Sequence, residues 1–117
     1  MMNQICVITI RVTNVQEAVS FYTEKLNFQV SERYGESIVQ LEHDGVPLIL
    51  EESSDIKSGN NVVLGLLSND IQEDFQAMKE RGIRVLLDSP QPCPPGHFFV
   101  IEDPFGNQIE IVEFDEQ

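Results

Sequence analysis

The chain has 117 residues, a length that suits one domain with a moderate hydrophobic core. Its 20 acidic residues against 7 basic ones give a formal net charge of −13, which argues against nucleic acid as a partner because a phosphate backbone selects cationic surfaces. Such a charge suits either the attraction of a cationic ligand or plain solubility, and charge alone does not choose between them.

The first half of the sequence predicts one β-α-β-β-β unit. The segment Ile5–Val12 is rich in β-branched residues, which predicts a strand. Asn14 with Glu17 three residues later has capping-box spacing, so we predict a helix from there to about Lys25. Strands are predicted near residues 28–34, 37–42 and 46–51. Residues 53–60 are polar and turn-rich, which is typical of a linker.

The second half repeats this order of elements. A strand is predicted at 61–67 and a helix at 70–81, ended by Gly82. The further predicted strands lie near 83–87, 97–102 and 107–114. The loop 88–96 holds four of the six prolines, and it suits either a stiff rim over a pocket or an ordinary surface loop.

The two halves are also similar in sequence, which indicates an internal duplication. Val-Gln-Glu at 15–17 returns as Ile-Gln-Glu at 71–73, an offset of 56 residues, whereas the turn glycines Gly45 and Gly106 are 61 residues apart. The second copy therefore has about five additional residues between its helix and its last turn. Two copies are too few for a solenoid, so a closed pseudo-symmetric domain is expected.

Two further features bear on location and redox chemistry. The beginning of the chain lacks the basic flank and the long apolar run of a signal peptide, and no segment reaches membrane-spanning length. We therefore expect a cytoplasmic protein that does not contact membranes. Cys6 and Cys93 have none of the spacings of zinc or redox motifs, so both are predicted to be free thiols.

Three motifs make the chain similar to a known superfamily. They are Phe21-Tyr22 on the first helix, Leu26-Asn27-Phe28 after it, and Asp-Pro-Phe-Gly-Asn-Gln-Ile-Glu at 103–110. Together with the duplication they resemble the glyoxalase, bleomycin-resistance and extradiol-dioxygenase superfamily, also called vicinal oxygen chelate proteins.

The resemblance implies an α+β fold in which two tandem βαβββ modules form an open, curved eight-stranded sheet cup with the helices outside. It implies a single domain over 1–117, with module one at about 1–52, the linker at 53–60 and module two at about 61–117. Proteins of this superfamily commonly pair, so the resemblance also implies a homodimer.

In metal-dependent members of the family, His and Glu ligands come from the first, fourth, fifth and eighth strands. The matching positions here are Val7, Ile49, either Val62 or Val63, and Glu110. One carboxylate does not offset the dehydration of a divalent ion, so we expect no metal and no cofactor. The loss of three ligand positions puts the metal-dependent activities of the family in doubt, which are glyoxalase, epimerase, dioxygenase and fosfomycin-modifying activities. A function like that of the metal-free binding members of the family remains compatible with the sequence.

Strand alternation predicts which residues line the cup. If Val7, Ile49 and Glu110 face inward, the same face carries Ile5, Thr9, Arg11, Glu51, Gln108 and Val112. The opposite, aliphatic face suits packing under the helices; it carries Ile8, Ile10, Val12, Leu48, Leu50, Ile109 and Ile111. The predicted ligand-binding residues are Val7, Thr9, Arg11, Ile49, Glu51, Phe99, Gln108 and Glu110. The alternative is that these residues bind no ligand. In that case Arg11 and Glu51 form an ion pair with each other, and Glu110 makes a local hydrogen bond.

Three functions are compatible with these features. The first is a metal-independent protein of the bleomycin-resistance type that sequesters a small cationic or aromatic compound. The second is an enzyme of lyase or isomerase type that uses Glu110 as general base, with His97, which alternates with Phe99, as a second candidate catalytic group. The third is a dimerisation module without a ligand.

Overall fold

The structure is a computed structural model that describes residues 3–55, 61–104 and 106–115. Within these residues the chain forms two α-helices and nine β-strands. The elements are β1 Ile5–Val12, α1 Val15–Ser20, β2 Val30–Tyr34, β3 Ile38–Leu41, β4 Leu48–Glu52, β5 Val62–Leu67, α2 Ile71–Glu80, β6 Arg84–Val85, β7 Gln91–Cys93, β8 Gly96–Glu102 and β9 Gln108–Phe114. Most of the predicted linker, residues 56–60, lies outside the described residues, and so does Phe105 of the last turn.

The chain divides into two compact units. The first unit is Val7–Val63, and the second combines the residues up to Cys6 with those from Leu64 onward. The first two residues of β1 therefore belong to the second unit, where the amide of Leu67 donates to the carbonyl of Gln4 at 3.0 Å. The single domain over 1–117 and its module boundaries remain a prediction.

In the first unit, α1 begins where the sequence predicts. The Asn14 side chain accepts a hydrogen bond from the amide of Glu17 at 2.9 Å, which satisfies one of the unpaired donors of the first turn. The helix continues as one π-helical segment, Phe21–Lys25. Its apolar side packs on the sheet around a core formed by Val15, Val19, Val39, Leu41 and Leu50.

The sheet of the first unit has the strand order β2-β3-β4-β1. β1 and β4 are parallel, with Ile10 beside Leu50, and the other pairs are antiparallel. The predicted aliphatic face is confirmed here, because Ile10, Val12, Leu48 and Leu50 all pack in the core that contains α1. A one-residue slip would place Arg11 and Glu51 under the helix instead, which the hydrophobic pattern opposes.

In the second unit, α2 is capped in the same way. The Asp70 side chain accepts a hydrogen bond from the amide of Glu73 at 3.1 Å, and the helix ends before Gly82, whose φ of 75° suits glycine. The core under α2 consists of Ile71, Phe75, Met78, Phe99, Ile101 and Ile111. The strand order is β5-β9-β8-β6, with β5 parallel to β9 and β7 paired to β8.

The proline-rich loop contains a strand that the sequence did not predict. Three of its residues form β7, which pairs antiparallel with β8 so that Cys93 lies opposite Gly96. A Cβ atom at Gly96 would approach the carbonyl oxygen of Glu113 in β9, so this glycine is required by close backbone contact. The short hairpin accounts for most of the additional residues of the second copy.

The α+β class and the repeated β-α-β-β-β order are confirmed, with one strand more in the second module than predicted. In the described part of the chain, every helix is too short or too polar to cross a bilayer.

Candidate functional site

The face of the first unit opposite α1 carries four of the predicted ligand-binding residues. The register of β1 and β4 places Thr9 beside Ile49 and Arg11 beside Glu51. Their sequence neighbour Leu50 packs under α1. Because side chains alternate between the two faces of a strand, the four residues lie together on the opposite face.

This face extends onto β3 and includes two residues that sequence reasoning missed. Gln40 lies beside Ile49 and Ile38 beside Glu51 in the antiparallel register of β3 and β4. The alternating pattern of β3 together with its short connection to β4 is a signal that could have found them. Val7, which is half-buried, belongs to the same face by alternation along β1.

The polar centre of this face is an ion pair. Arg11 Nε lies 3.9 Å from Glu51 Oε1, and the two side chains are 26% and 37% exposed. Pairs with this much solvent contact contribute at most about 1 kcal/mol to stability, so the fold does not depend on it. The neighbouring Thr9 is only 6% exposed. The sequence left two roles open for Arg11 and Glu51, ligand binding or pairing with each other, and the structure shows that they pair.

In the second unit, Gln108 and Glu110 lie on the face opposite α2. Their partners in the register of β8 and β9 are Glu102 and Val100. The intervening Ile109 packs with the α2 core, which fixes the orientation of the strand. Glu110 is half-buried, and on its other side it pairs with Gly65 of β5.

The internal alignment made from the sequence is reproduced by the strand registers. Thr9 pairs with Ile49 in the first unit, and Gly65 pairs with Glu110 in the second. Gly65 is 56 residues after Thr9, and Glu110 is 61 residues after Ile49, which are the two offsets of the duplication. Ile49 is thus the structural counterpart of Glu110, and the first copy has no carboxylate at this position.

The structure associates Cys6 with Glu110, which the sequence did not suggest. Burial raises the pKa of the Cys6 thiol above its ordinary value, and the negative charge of Glu110 raises it further, while a backbone hydrogen bond acts in the opposite direction. Alternation places Cys6 on the face opposite Val7, so strand periodicity gave no reason to connect these two groups. The thiol is therefore protonated and a poor nucleophile at neutral pH.

Phe99 is not available to a ligand, contrary to expectation. Its side chain is fully buried at 0% exposure and contacts Phe75 of α2 edge to face, with ring centroids 5.1 Å apart. In the strand register it lies beside Ile111, on the helix side of the sheet. The prediction of Phe99 as a ligand-binding residue is therefore wrong.

His97 lies on the same side as Phe99, because it is two residues earlier on β8. It pairs with Glu113 in the strand register, and its Nδ1 lies 3.8 Å from Asp115 Oδ1 with the side chain 47% exposed. Glu110 belongs to the opposite face of the sheet. The structure therefore does not support His97 as a catalytic partner of Glu110.

The residues present do not fit the divalent ion that the superfamily implies. Three of the four ligand positions are aliphatic, and Val63, one candidate for the third, is buried at 2% exposure. Across residues 3–55, 61–104 and 106–115, His, Cys, Asp and Glu do not form a group of three placed to hold a metal. A lone Glu110 lacks the additional donors that such an ion requires.

Comparisons with known proteins agree with this fold. Residues 4–111 match the model of the Glyoxalase/Bleomycin resistance protein/Dioxygenase superfamily. No match is found among proteins of curated function.

Three solved structures illustrate the likeness. A hypothetical protein from Bacillus halodurans C-125 is 23% identical with a TM-score of 0.80, covering 97% of this chain and 96% of that one. A superfamily member from Vibrio splendidus 12B01 is 20% identical with a TM-score of 0.70, covering 97% and 99%. A variant of methylmalonyl-CoA epimerase from Streptomyces coelicolor, in complex with 2-nitronate-propionyl-CoA, is 22% identical with a TM-score of 0.79, covering 97% and 96%.

At these identities the solved structures establish the fold alone, whereas the family model spans nearly the whole chain. The motifs at 21–28 and 103–110, the duplicated β-α-β-β-β order and the matching strand registers are consistent with that assignment. The chain therefore belongs to the glyoxalase/bleomycin resistance protein/dioxygenase superfamily.

Proposed function

We propose that this protein binds a small organic molecule without a metal, in the manner of the bleomycin-resistance type, on the face of the first unit that carries Thr9, Arg11, Ile49 and Glu51. The observation that carries the proposal is the half-buried Arg11–Glu51 pair beside a buried hydroxyl and an aliphatic side chain. Ligand sites commonly combine an apolar wall with a few polar groups that orient the ligand.

The chemistry of this face favours an aromatic amine as ligand. The Glu51 carboxylate accepts hydrogen bonds from a cation, and the planar Arg11 guanidinium stacks against an aromatic ring. A chain with a net charge of −13 also attracts cations at long range. By the same argument, an anionic thioester such as the one in the epimerase structure is disfavoured here.

Thermal unfolding with defined probes tests the proposal. Tryptamine, benzoate and zinc chloride are added in turn to the wild-type protein and to Glu51→Gln and Arg11→Gln. Tryptamine at 100 times its Kd should stabilise the wild type by about 2.7 kcal/mol. Glu51→Gln should lose most of this stabilisation, because the carboxylate that accepts the ammonium is gone.

The matched control is Glu36→Gln, which removes an exposed carboxylate from the turn between β2 and β3 of the same unit. It should keep the tryptamine response. An equal loss in Glu36→Gln, a stronger response to benzoate, or a stoichiometric metal in the purified protein would contradict the proposal.

A second candidate function is proton abstraction by Glu110 from a small carbonyl compound or acid. The observation that favours it is the half-buried carboxylate on the face opposite α2, close enough to the Cys6 thiol to raise its pKa. A carboxylate in that position can act as a general base that removes a proton from a carbon atom next to a carbonyl group. The protonated carboxyl group then returns the proton to the same carbon or to a neighbouring one.

Deuterium exchange tests this second candidate. Small ketones and 2-substituted acids are incubated with the protein in D₂O, and loss of the α-proton signal is followed by NMR. Glu110→Gln should slow any catalysed exchange about 100-fold or more while the unfolding midpoint stays near that of the wild type. Unchanged exchange in Glu110→Gln would exclude the role, and Glu80→Gln on α2 is the control.

The homodimer remains a proposal that rests on the superfamily resemblance. The third function, a protein that serves only to form a dimer and binds no ligand, also remains a proposal. Sedimentation equilibrium tests both. A monomer at all concentrations would exclude them.

A further inference from the structure

A β-bulge in β2 turns the second half of this strand toward the proposed binding face. Before the bulge, Val30 lies beside Leu41 and packs in the core under α1. After it, Glu32 lies beside Gln40, on the face opposite the helix. Ser31 is the additional residue, and its hydroxyl donates to the carbonyl of Gln40 at 3.2 Å. Bulges of this kind redirect the side chains that follow them and are frequent beside functional sites.

The bulge brings Tyr34 onto the binding face. Tyr34 lies beside Ile38, Ile38 lies beside Glu51, and Glu51 lies beside Arg11. Residues that are directly opposite on neighbouring strands share one face of the sheet. The four side chains therefore form a row across the four strands of the first unit, which we call the Tyr34 row. With regular alternation from Val30, Tyr34 would instead lie on the helix side.

The ring of Tyr34 is available for contact with a ligand. It is half-buried, and its side chain makes no hydrogen bond and no ring contact with any other described residue. Tyr22, in contrast, contacts the rings of Phe21 and Phe28 edge to face. An aromatic side chain in this situation supplies a large contact surface at a low cost in conformational entropy.

The neighbouring row on the same face differs in character. It consists, strand by strand, of Thr9, Ile49, Gln40 and Glu32. This row carries no aromatic side chain, so the Tyr34 row is the one that can read a second ring.

The order of groups along the Tyr34 row indicates the shape of the ligand. At one end, Arg11 and Glu51 suit the ring and the ammonium of an aromatic amine. Beyond the carboxylate, the row continues with an aliphatic side chain and then the Tyr34 ring. Neighbouring strands lie about 4.8 Å apart, so the backbone at Tyr34 is roughly 10 Å from that at Glu51. A ligand that contacts the whole row needs a ring on each side of its ammonium.

We propose that Tyr34 is a specificity-determining residue of this face and that the preferred ligand is a secondary amine with an aromatic group on each side of the nitrogen. The inference rests on the proposed function, because it takes the position of the ammonium from Glu51.

Calorimetric titration of the full chain with three related amines tests the inference. The probes are tryptamine, N-methyltryptamine and N-benzyltryptamine. The two compounds with a single ring system should bind with similar Kd, because neither reaches Tyr34. N-benzyltryptamine should bind about tenfold more tightly, since its benzyl group adds contacts with the aliphatic wall and with the Tyr34 ring.

Variants assign this gain to the Tyr34 ring. Tyr34→Ala should bring the Kd of N-benzyltryptamine close to that of N-methyltryptamine and leave the Kd of tryptamine unchanged. Tyr34→Phe should keep the gain, because the ring remains. The matched control is Phe21→Ala, which removes an aromatic side chain that is 52% exposed on the helical side of the same unit. It should also keep the gain.

The two proposals fail in different ways. Suppose that tryptamine binds and requires Glu51, but the benzyl group adds no affinity or its gain survives in Tyr34→Ala. The inference about Tyr34 is then wrong and the proposed function stands. If tryptamine does not bind, or binds equally well to Glu51→Gln, both proposals are wrong. Circular dichroism of Tyr34→Ala checks that this variant is folded, and Tyr34→Phe provides the comparison with the ring in place.

Discussion

The carboxylate of Glu113 accepts a hydrogen bond from the backbone amide of Ile71 at 3.0 Å, so the last strand holds the first turn of α2. The first unit has the same arrangement, in which Glu52 accepts from the amide of Val15 at 2.9 Å. Both pairs obey the offsets of the duplication, 56 residues for the donors and 61 for the acceptors. A carboxylate from a distant strand therefore supplements the local caps in each copy.

Removing one of these carboxylates should destabilise the protein. Glu113→Ala leaves the amide of Ile71 without its acceptor at a helix end, so we expect a loss of about 1 kcal/mol in the free energy of unfolding. Urea denaturation followed by circular dichroism measures it. Glu36→Ala is the control and should change little, and a loss no larger than in that control would show that water replaces Glu113.

Phe99 should be one of the most sensitive positions in the chain. It is fully buried against Phe75 and Ile111, so Phe99→Ala should lower the free energy of unfolding by about 3–5 kcal/mol. Phe99→Leu fills more of the space and should cost less. Chemical denaturation of both variants checks the order, and a tolerated Phe99→Ala would mean that the residue is not in the core.

Cys6 should react more slowly with iodoacetamide than an ordinary thiol, and its rate should rise at higher pH than usual. Its pKa is raised by burial and by the charge of Glu110, so less thiolate is present at any given pH. In a Cys93→Ser background, Glu110→Gln removes one of these causes and should shift the pH–rate profile to lower pH. Glu80→Gln is the control, and identical profiles in all three proteins would contradict the assignment.

Gly96 should not tolerate a side chain. A Cβ atom there would overlap the Glu113 carbonyl and crowd Phe114, so β8 and β9 would have to separate. We expect Gly96→Ala to destabilise by about 1–3 kcal/mol, the usual range for overpacking. His97→Ala at the next, exposed position should cost much less, and equal losses would indicate that the hairpin is simply sensitive to substitution. Thermal unfolding of the two variants measures both losses.

The elements of this fold could be predicted because local signals coincide with the tertiary structure. Asn14 and Asp70 cap the helices, Gly82 ends the second one, and alternation along β1, β4 and β9 separates the helix side from the other face. These signals depend on residues close in sequence, and the duplication made the helix cap visible twice, as Asn14 and as Asp70.

The misassigned features depend on contacts between distant residues. β8 has Phe98, Phe99, Val100 and Ile101 in succession, so alternation alone does not reveal its core side, and only the pairing of Phe99 with Ile111 does. β7 is too short and too rich in proline for a strand signal, and it exists because it pairs with β8. The periodicity of a single segment carries no information about the strand with which it pairs.

The helix-holding carboxylates also limit how the acidity of this protein can be altered. Glu52 and Glu113 are two of its 20 acidic residues, and each of them accepts a hydrogen bond from the first turn of a helix. An engineer who reduces the surface charge to change solubility or crystallisation should begin with exposed acids such as Glu36 and leave these two unchanged.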